Sequence, residues 1–340
     1  MTRRTTLALI FADAVDRQLR EFLAELRTGS PLYALIEYHM GFDTGQAPRA
    51  AKRTRPILLL SVTQSLGGDV SAVLPVAAAV ELLHNAALVF DDIQDRATLR
   101  RGRPAVWRRC GAAQALNVGV ALQAAVHLAA TAAAAAGLPA ERALAASEEL
   151  GLCTLRLAEG QYLDLSYRQG QRPSIDEYMR MCAAKTASLL ASASYLGAVL
   201  AGREDRAEPA RRLGYHLGMY LQIEDDLAGI WGDGAEMGKE AADLEGRHKT
   251  LPLLYAFQSP DAPPELAALE ERYYGDGPLR AAEVAELRRY ATELGGRAYA
   301  AEMGAFHRDL ALRALEELAA GRPDLLALLD DLAISLAAPA

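Results

Sequence analysis

An apolar helical run that ends in three carboxylates, His84-Asn85-Ala86-Ala87-Leu88-Val89-Phe90-Asp91-Asp92-Ile93-Gln94-Asp95, constrains this chain more than any other stretch. Residues on a helix advance about 100° each, so positions four or seven apart share a face. His84, Asp91 and Asp95 therefore point one way, beside Ala87 and Leu88. Like charges one helical turn apart cost about 0.2–0.5 kcal/mol even in water. An apolar flank raises that cost unless a cation sits between them. Oxygen donors at this spacing suit a hard cation such as Mg2+, which keeps several waters and bridges to a substrate phosphate. A solvated acidic helix end would carry the same residues, so the rest of the chain has to separate the two.

Ala and Leu carry the apolar mass, because 51% of the 340 residues are hydrophobic and only 6% aromatic. Both are strong helix formers and Ala is depleted in strands, which predicts an all-α fold. The net charge of −8 argues against a general nucleic-acid binder. Cys110, Cys153 and Cys182 are odd in number and lack zinc spacing, so they read as reduced thiols of a cytoplasmic protein. Thr6–Phe11 is too short for a signal peptide and runs into Asp13 and Asp16. Ala115–Leu138 is long enough to span a membrane but is mostly Ala, with Gln123 and His127 inside. It reads as a packed internal helix, and no transmembrane segment is expected.

Apolar periodicity predicts helices over 5–27, 71–95, 112–137, 139–166, 175–202 and 208–232. Residues 28–49, punctuated by Gly and Pro, read as a broken connection. Residues 258–281 read as a loop with a short helix, and 282–337 as helices without recognisable chemistry. No repeat or domain boundary is visible, so 1–340 is expected to be one domain.

Basic residues cluster beside the acids. Lys52-Arg53-Thr54-Arg55-Pro56 leads into the apolar Ile57–Leu66, a placement that suits an anion. Four arginines, Arg96, Arg100, Arg101 and Arg103, follow Asp95 within eight residues. Acids that hold cations next to arginines that hold phosphate oxygens are the local chemistry of a metal–diphosphate site. Lys185 lies in a small, apolar stretch and calls for an anion. A second acidic pair, Asp225-Asp226, ends another apolar run, and Lys239, Asp243 and Lys249 follow it. Two acidic pairs, each trailed by cations, describe a cavity for a polyanion and several metal ions.

In order, these segments resemble a trans-isoprenyl diphosphate synthase of the polyprenyl synthetase family, of geranylgeranyl or farnesyl diphosphate synthase type. Lys52–Pro56 resembles the family's GGKRxRP, Asp91–Asp95 its DDxxD, and Arg100–Pro104 its RRGxP. Gly160–Leu165 resembles GQxLDL, Lys185-Thr186 the KT pair, and Gln222–Asp226 the start of the second aspartate-rich motif. The resemblance implies helices around a deep central cavity, a homodimer, and three Mg2+ ions with diphosphate bound. It implies head-to-tail condensation of isopentenyl diphosphate with an allylic prenyl diphosphate. By position, Asp91, Asp95 and Asp225 would ligate Mg2+, with Asp92 and Asp226 assisting. Arg100, Lys185 and Lys239 would hold the allylic diphosphate. Lys52, Arg55, His84 and Arg101 would hold isopentenyl diphosphate. Thr186 and Gln222 would turn oxygens toward the developing carbocation.

The chain departs from the family pattern at several points. Ala50 and Ala51 replace two glycines, and Phe90 and Trp107 stand where His is frequent. Gly229 occupies the third aspartate position of the second motif, which predicts weaker binding of the metal ion there. Small residues, Ala86 and Ala87, lie where a bulky aromatic would floor the product pocket, so a C20 product is expected. Two rivals share the first motif. A class I terpene cyclase would carry a different second motif and needs no second diphosphate site. A non-catalytic subunit would be expected to lose the acids or the basic set, and both are intact.

Overall fold

The computed structural model describes residues 6–43, 53–232 and 243–319. Its helices in chain order are α1 (Thr6–Glu25), α2 (Pro31–Met40), α3 (Thr54–Ser65), α4 (Val70–Gln94), α5 (Val106–Cys110), α6 (Ala112–Ala132) and α7 (Ala140–Arg168). They continue as α8 (Ile175–Cys182), α9 (Ser188–Leu200), α10 (Ala207–Trp231), α11 (Leu251–Phe257), α12 (Pro264–Tyr274), α13 (Ala281–Glu293) and α14 (Gly296–Leu318). The all-α expectation holds, with one two-stranded hairpin, β1 (Leu99–Arg100) and β2 (Arg103–Pro104), among the described residues.

The largest correction at the level of elements is α2, which occupies part of the supposed broken connection. Its ends are written in the sequence. The Ser30 hydroxyl accepts from Leu32 N at 3.3 Å, Pro31 opens the first turn, and Gly41 closes the helix at φ 75°. Pro at the start and Gly just past the end mark a helix rather than a break. The 175–202 helix is also not continuous. Residues Ala183–Ala187 form a π-helical turn between α8 and α9.

Alanine makes close helix packing possible. On α4, Ala77, Ala78, Ala79 and Ala86 are fully buried. Helix α6 packs along α4, and a β-carbon at Gly119 would overlap the Phe90 ring. Helices α9 and α10 pack together, with α3 on the far side of α9 and α14 against α10. The principal core runs through all these elements.

Two helices, Val70–Gln94 and Ala112–Ala132, are long and apolar enough to cross a membrane by length and composition. The sequence points only to the second. In the structure α4 is the central core helix, with 72% of its apolar window buried, against 44% for α6. The outer faces of α6 and α7 expose Leu116, Val120, Leu128, Leu144, Leu152 and Leu155.

Candidate active site

Asp91 and Asp95, one turn apart at the end of α4, meet cations from α7 and the π turn. Lys185 Nζ donates to Asp164 Oδ2 at 2.6 Å and to Asp91 Oδ1 at 3.3 Å. Arg168 Nη2 lies 2.5 Å from Asp95 Oδ1 and 3.3 Å from Asp164 Oδ2. Burial pushes the Asp164 carboxyl up, but Lys185 and Arg168 outweigh it and hold it below the usual carboxylate range. Burial likewise opposes charge on Lys185, and Asp91 and Asp164 outweigh it to keep the ammonium protonated.

The π turn explains how Lys185 and Thr186 reach the cavity. Single π turns widen a helix and occur often at functional sites. This one is clamped on both sides by glycines. A β-carbon on Gly160 of α7 would collide with the Lys185 backbone, and one on Gly218 of α10 with Ala187. Thr186 Oγ1 then donates to Gln222 Oε1 at 2.6 Å, which joins the π turn to α10.

A cavity of about 500 Å³ opens beneath Asp91. Arg55, His84, Asp91, Lys185 and Thr186 all line it, so five of the residues singled out by sequence share one space. Its walls are otherwise mostly apolar, including Leu83, Ala87, Leu88, Leu157 and Leu189. Ala86 lies outside it and is fully buried in the core. Gln123 Nε2 donates to Thr154 Oγ1 at 3.0 Å, a polar bridge from α6 to α7 among the lining residues.

Arg55 lines the cavity, and Arg101 approaches the same stretch of α4 from the hairpin. The β1–β2 turn places Arg101 and Gly102 at φ 53° and 73°, the paired positive angles of a type I′ hairpin. A left-handed arginine costs about 1–2 kcal/mol, a cost the hairpin imposes on its basic tip. Arg101 Nη2 reaches Asn85 Oδ1 at 3.3 Å, and Arg55 Nη1 lies 3.3 Å from His84 Nε2. Burial, together with Arg55 and Arg101, lowers the His84 pKa well below its usual value, so the imidazole is neutral and can accept from Arg55. Arg55 Nε and Arg101 Nη1 are buried without a hydrogen-bond partner. Orphaned guanidinium donors of this kind fit an anionic ligand with several acceptor oxygens.

Asp92 and Asp226, expected to assist at the metal site, both turn inward. Asp92 is fully buried and takes Arg100 through Nε at 3.0 Å and Nη2 at 2.5 Å. Asp226 accepts from Tyr178 Oη at 2.6 Å, Leu251 N at 2.9 Å and Gln222 Nε2 at 2.9 Å. Burial pushes its pKa up to about 7 in spite of these donors. Asp92 therefore sets Arg100, and Asp226 sets Gln222. Asp225 stands on an exposed face of α10, and its charge is felt at Arg55. Lys52 and Lys239 lie outside the described residues.

Sequence reasoning missed a strut beneath the arginines. Arg53 is buried between Asp16 of α1 at 2.7 Å and Glu81 of α4 at 2.5 Å, and Glu81 also takes Asn85 Nδ2 at 2.8 Å. Arg168 was missed as well, although its spacing of four from Asp164 was a visible signal.

Among the described residues no three carboxylate, imidazole or thiol groups converge as a ready metal cage. The Asp91 and Asp95 carboxylates, one turn apart, fit Mg2+, which binds through one or two carboxylates plus substrate phosphates.

An all-helical bundle with carboxylates, a lysine and an arginine at an apolar cavity suits a ligand with a diphosphate head and an apolar tail. The polyprenyl synthetase family model matches residues 46–291, and the chain belongs to that family. It is 36% identical over 306 residues to the geranylgeranyl diphosphate synthase of Mycobacterium tuberculosis, covering 88% of this chain and 85% of that one. It is 33% identical to the (2E,6E)-farnesyl diphosphate synthase of Mycobacterium bovis, covering 75% and 71%. The structure resembles that of a polyprenyl synthetase from Streptomyces coelicolor A3(2), with a TM-score of 0.86, 32% identity, and coverage of 98% and 99%. The chain is thus a trans-prenyltransferase, a prenyl diphosphate synthase of a magnesium-dependent family. The cyclase and non-catalytic alternatives give way to that assignment.

Proposed function

We propose that this enzyme elongates an allylic diphosphate with isopentenyl diphosphate and stops at a C20 product, geranylgeranyl diphosphate. The observation that carries the reading is the cavity beneath Asp91. It passes Ala87 without an aromatic floor and continues to Leu83, eight residues or about 12 Å along the helix. The Gln123–Thr154 bridge is the floor that ends growth.

Asp91 and Asp95 on α4 and Asp225 on α10 are the residues that would hold Mg2+, as three ions with diphosphate bound. The ions supply Lewis-acid stabilisation of the leaving diphosphate. Lys185, Arg100 and Lys239 bind the allylic diphosphate, with Arg100 fixed by Asp92. Arg55, Arg101, Lys52 and the neutral His84 bind isopentenyl diphosphate. Fixed cations lower the cost of charge on the departing diphosphate, and the apolar walls keep water from the allylic cation. Thr186 turns its hydroxyl oxygen toward that cation, and Gln222 holds the hydroxyl by accepting its proton at Oε1. The released diphosphate is the base for the final proton loss.

The chain acts as one domain over 1–340 and as a homodimer, with the exposed leucines of α6 and α7 as the shared face. Its three free thiols support a cytoplasmic location. Product length tests the pocket directly. Ala87→Phe should shorten the product, and Gln123→Ala should lengthen it. Unchanged lengths in both would remove this cavity from the account.

A further inference from the structure

We infer that Tyr178 and Asp226 are positioning residues that fix the direction in which the Thr186 hydroxyl points. A chain of hydrogen bonds runs from the first residue of α11 to the cavity. Leu251 N and Tyr178 Oη donate to Asp226 Oδ2 at 2.9 and 2.6 Å, and Gln222 Nε2 donates to Asp226 Oδ1 at 2.9 Å. Gln222 Oε1 then accepts from Thr186 Oγ1 at 2.6 Å. The first link sets the direction of all the others. A backbone N–H only donates and an ionised carboxylate only accepts, so the Gln222 amide turns its NH2 to Asp226 and its oxygen to Thr186. Thr186 must then give its proton to Gln222, which leaves the lone pairs of its oxygen for the cavity it lines. Tyr178 and Asp226 are only 1% and 3% exposed, so water offers neither group another partner.

This inference rests on the proposal that Thr186 faces the allylic cation. It adds the reason why the hydroxyl presents its oxygen there and not its proton, which would repel the cation. Asp226→Asn should invert the chain. Leu251 N still needs an acceptor, so the new amide keeps its oxygen on that side and turns its NH2 to Gln222. The Gln222 amide then turns over, and Thr186 becomes an acceptor whose own proton points into the cavity. Side-chain volume barely changes, so the effect is one of polarity.

The test is steady-state kinetics of the full chain with Mg2+, isopentenyl diphosphate and a C15 allylic diphosphate at pH 8, above the Asp226 pKa of about 7. Asp226→Asn should lower kcat on the order of 100-fold, the scale for losing one aimed dipole where charge develops, with both KM values nearly unchanged. Thr186→Val should lower kcat by a similar factor. Asp226→Asn added to Thr186→Val should give no further loss, because the hydroxyl whose direction it sets is gone. The Mg2+ concentration for half-maximal rate should stay at the parent value in Asp226→Asn. Parent kcat in Thr186→Val would overturn the reading of Thr186 at the cation. A slow Thr186→Val enzyme beside full kcat in Asp226→Asn, losses that add in the double variant, or a raised Mg2+ requirement would overturn the relay alone. Should Asp226→Asn fail to fold, Tyr178→Phe takes its place. It should lower kcat in the parent and leave Thr186→Val unchanged, and no loss in the parent or additive losses would overturn the relay.

Discussion

Arg101 shows how much of this site depends on single side chains held against their preferences. It sits in a left-handed turn, reaches Asn85, and leaves Nη1 buried without a partner. On the proposed reading that free donor is available to a diphosphate. Arg101→Ala should raise the KM for isopentenyl diphosphate at least tenfold while changing kcat much less, as expected for loss of uniform binding. Equal losses in both constants, from steady-state kinetics in saturating allylic substrate, would contradict the assignment. A second residue-scale prediction concerns acid stability. His216 Nδ1 and His307 Nδ1 lie 3.0 Å apart between α10 and α14. Burial and then His216 lower the His307 pKa to about 4, and burial and then Arg212 lower that of His216. The unfolded chain takes up a proton near 6.5 and the folded one does so lower. Stability from this pair is therefore present above pH 6.5 and lost as pH falls toward 4. Buried His84 and His39 act in the same direction. Thermal midpoints measured from pH 7 to 4.5 should fall, and His307→Phe should flatten the fall. Parallel curves would exclude the pair as a source.

At the scale of elements, the π turn between α8 and α9 does the positioning. It exists because Gly160 and Gly218 let two helices approach its backbone from either side. Gly160→Ala should push the turn away from α7 and move Lys185 off Asp91 and Asp164. A displacement of about 1 Å at reacting groups can cost on the order of 100-fold in rate. A loss of kcat beyond tenfold with normal helical circular dichroism is expected, and unchanged turnover would show that the close approach is dispensable. The same scale shows what sequence could convey. Asp91, Asp95, Lys185 and Thr186 were legible because acids and cations interrupt apolar helices locally. The π turn was not, because Ala183–Ala187 has an ordinary helical composition. The strut was not, because Arg53 meets Asp16 and Glu81 across separations of 37 and 28 residues. The inward partners of Asp92 and Asp226 were not legible, since only packing decides that they meet Arg100 and Tyr178. Helix α2 is legible in Ser30, Pro31 and Gly41 when Gly and Pro are read as caps rather than breaks.

Across the whole molecule, α4 joins the two halves of the chemistry. Its last turn carries the acids, its middle lines the cavity, and its buried alanines let α6 pack closely against it. On the proposed reading catalysis and product length are both set along this helix, and α3, α6, α7, the π turn and α9 close the remaining walls of the cavity. The measurement that tests this most directly is product analysis with purified enzyme, Mg2+, labelled isopentenyl diphosphate and each of the C5, C10 and C15 allylic diphosphates. The account predicts a C20 diphosphate as the main end product from all three, with one label incorporated from the C15 starter. Arrest at C15, or a hydrocarbon or alcohol formed without isopentenyl diphosphate, would contradict it.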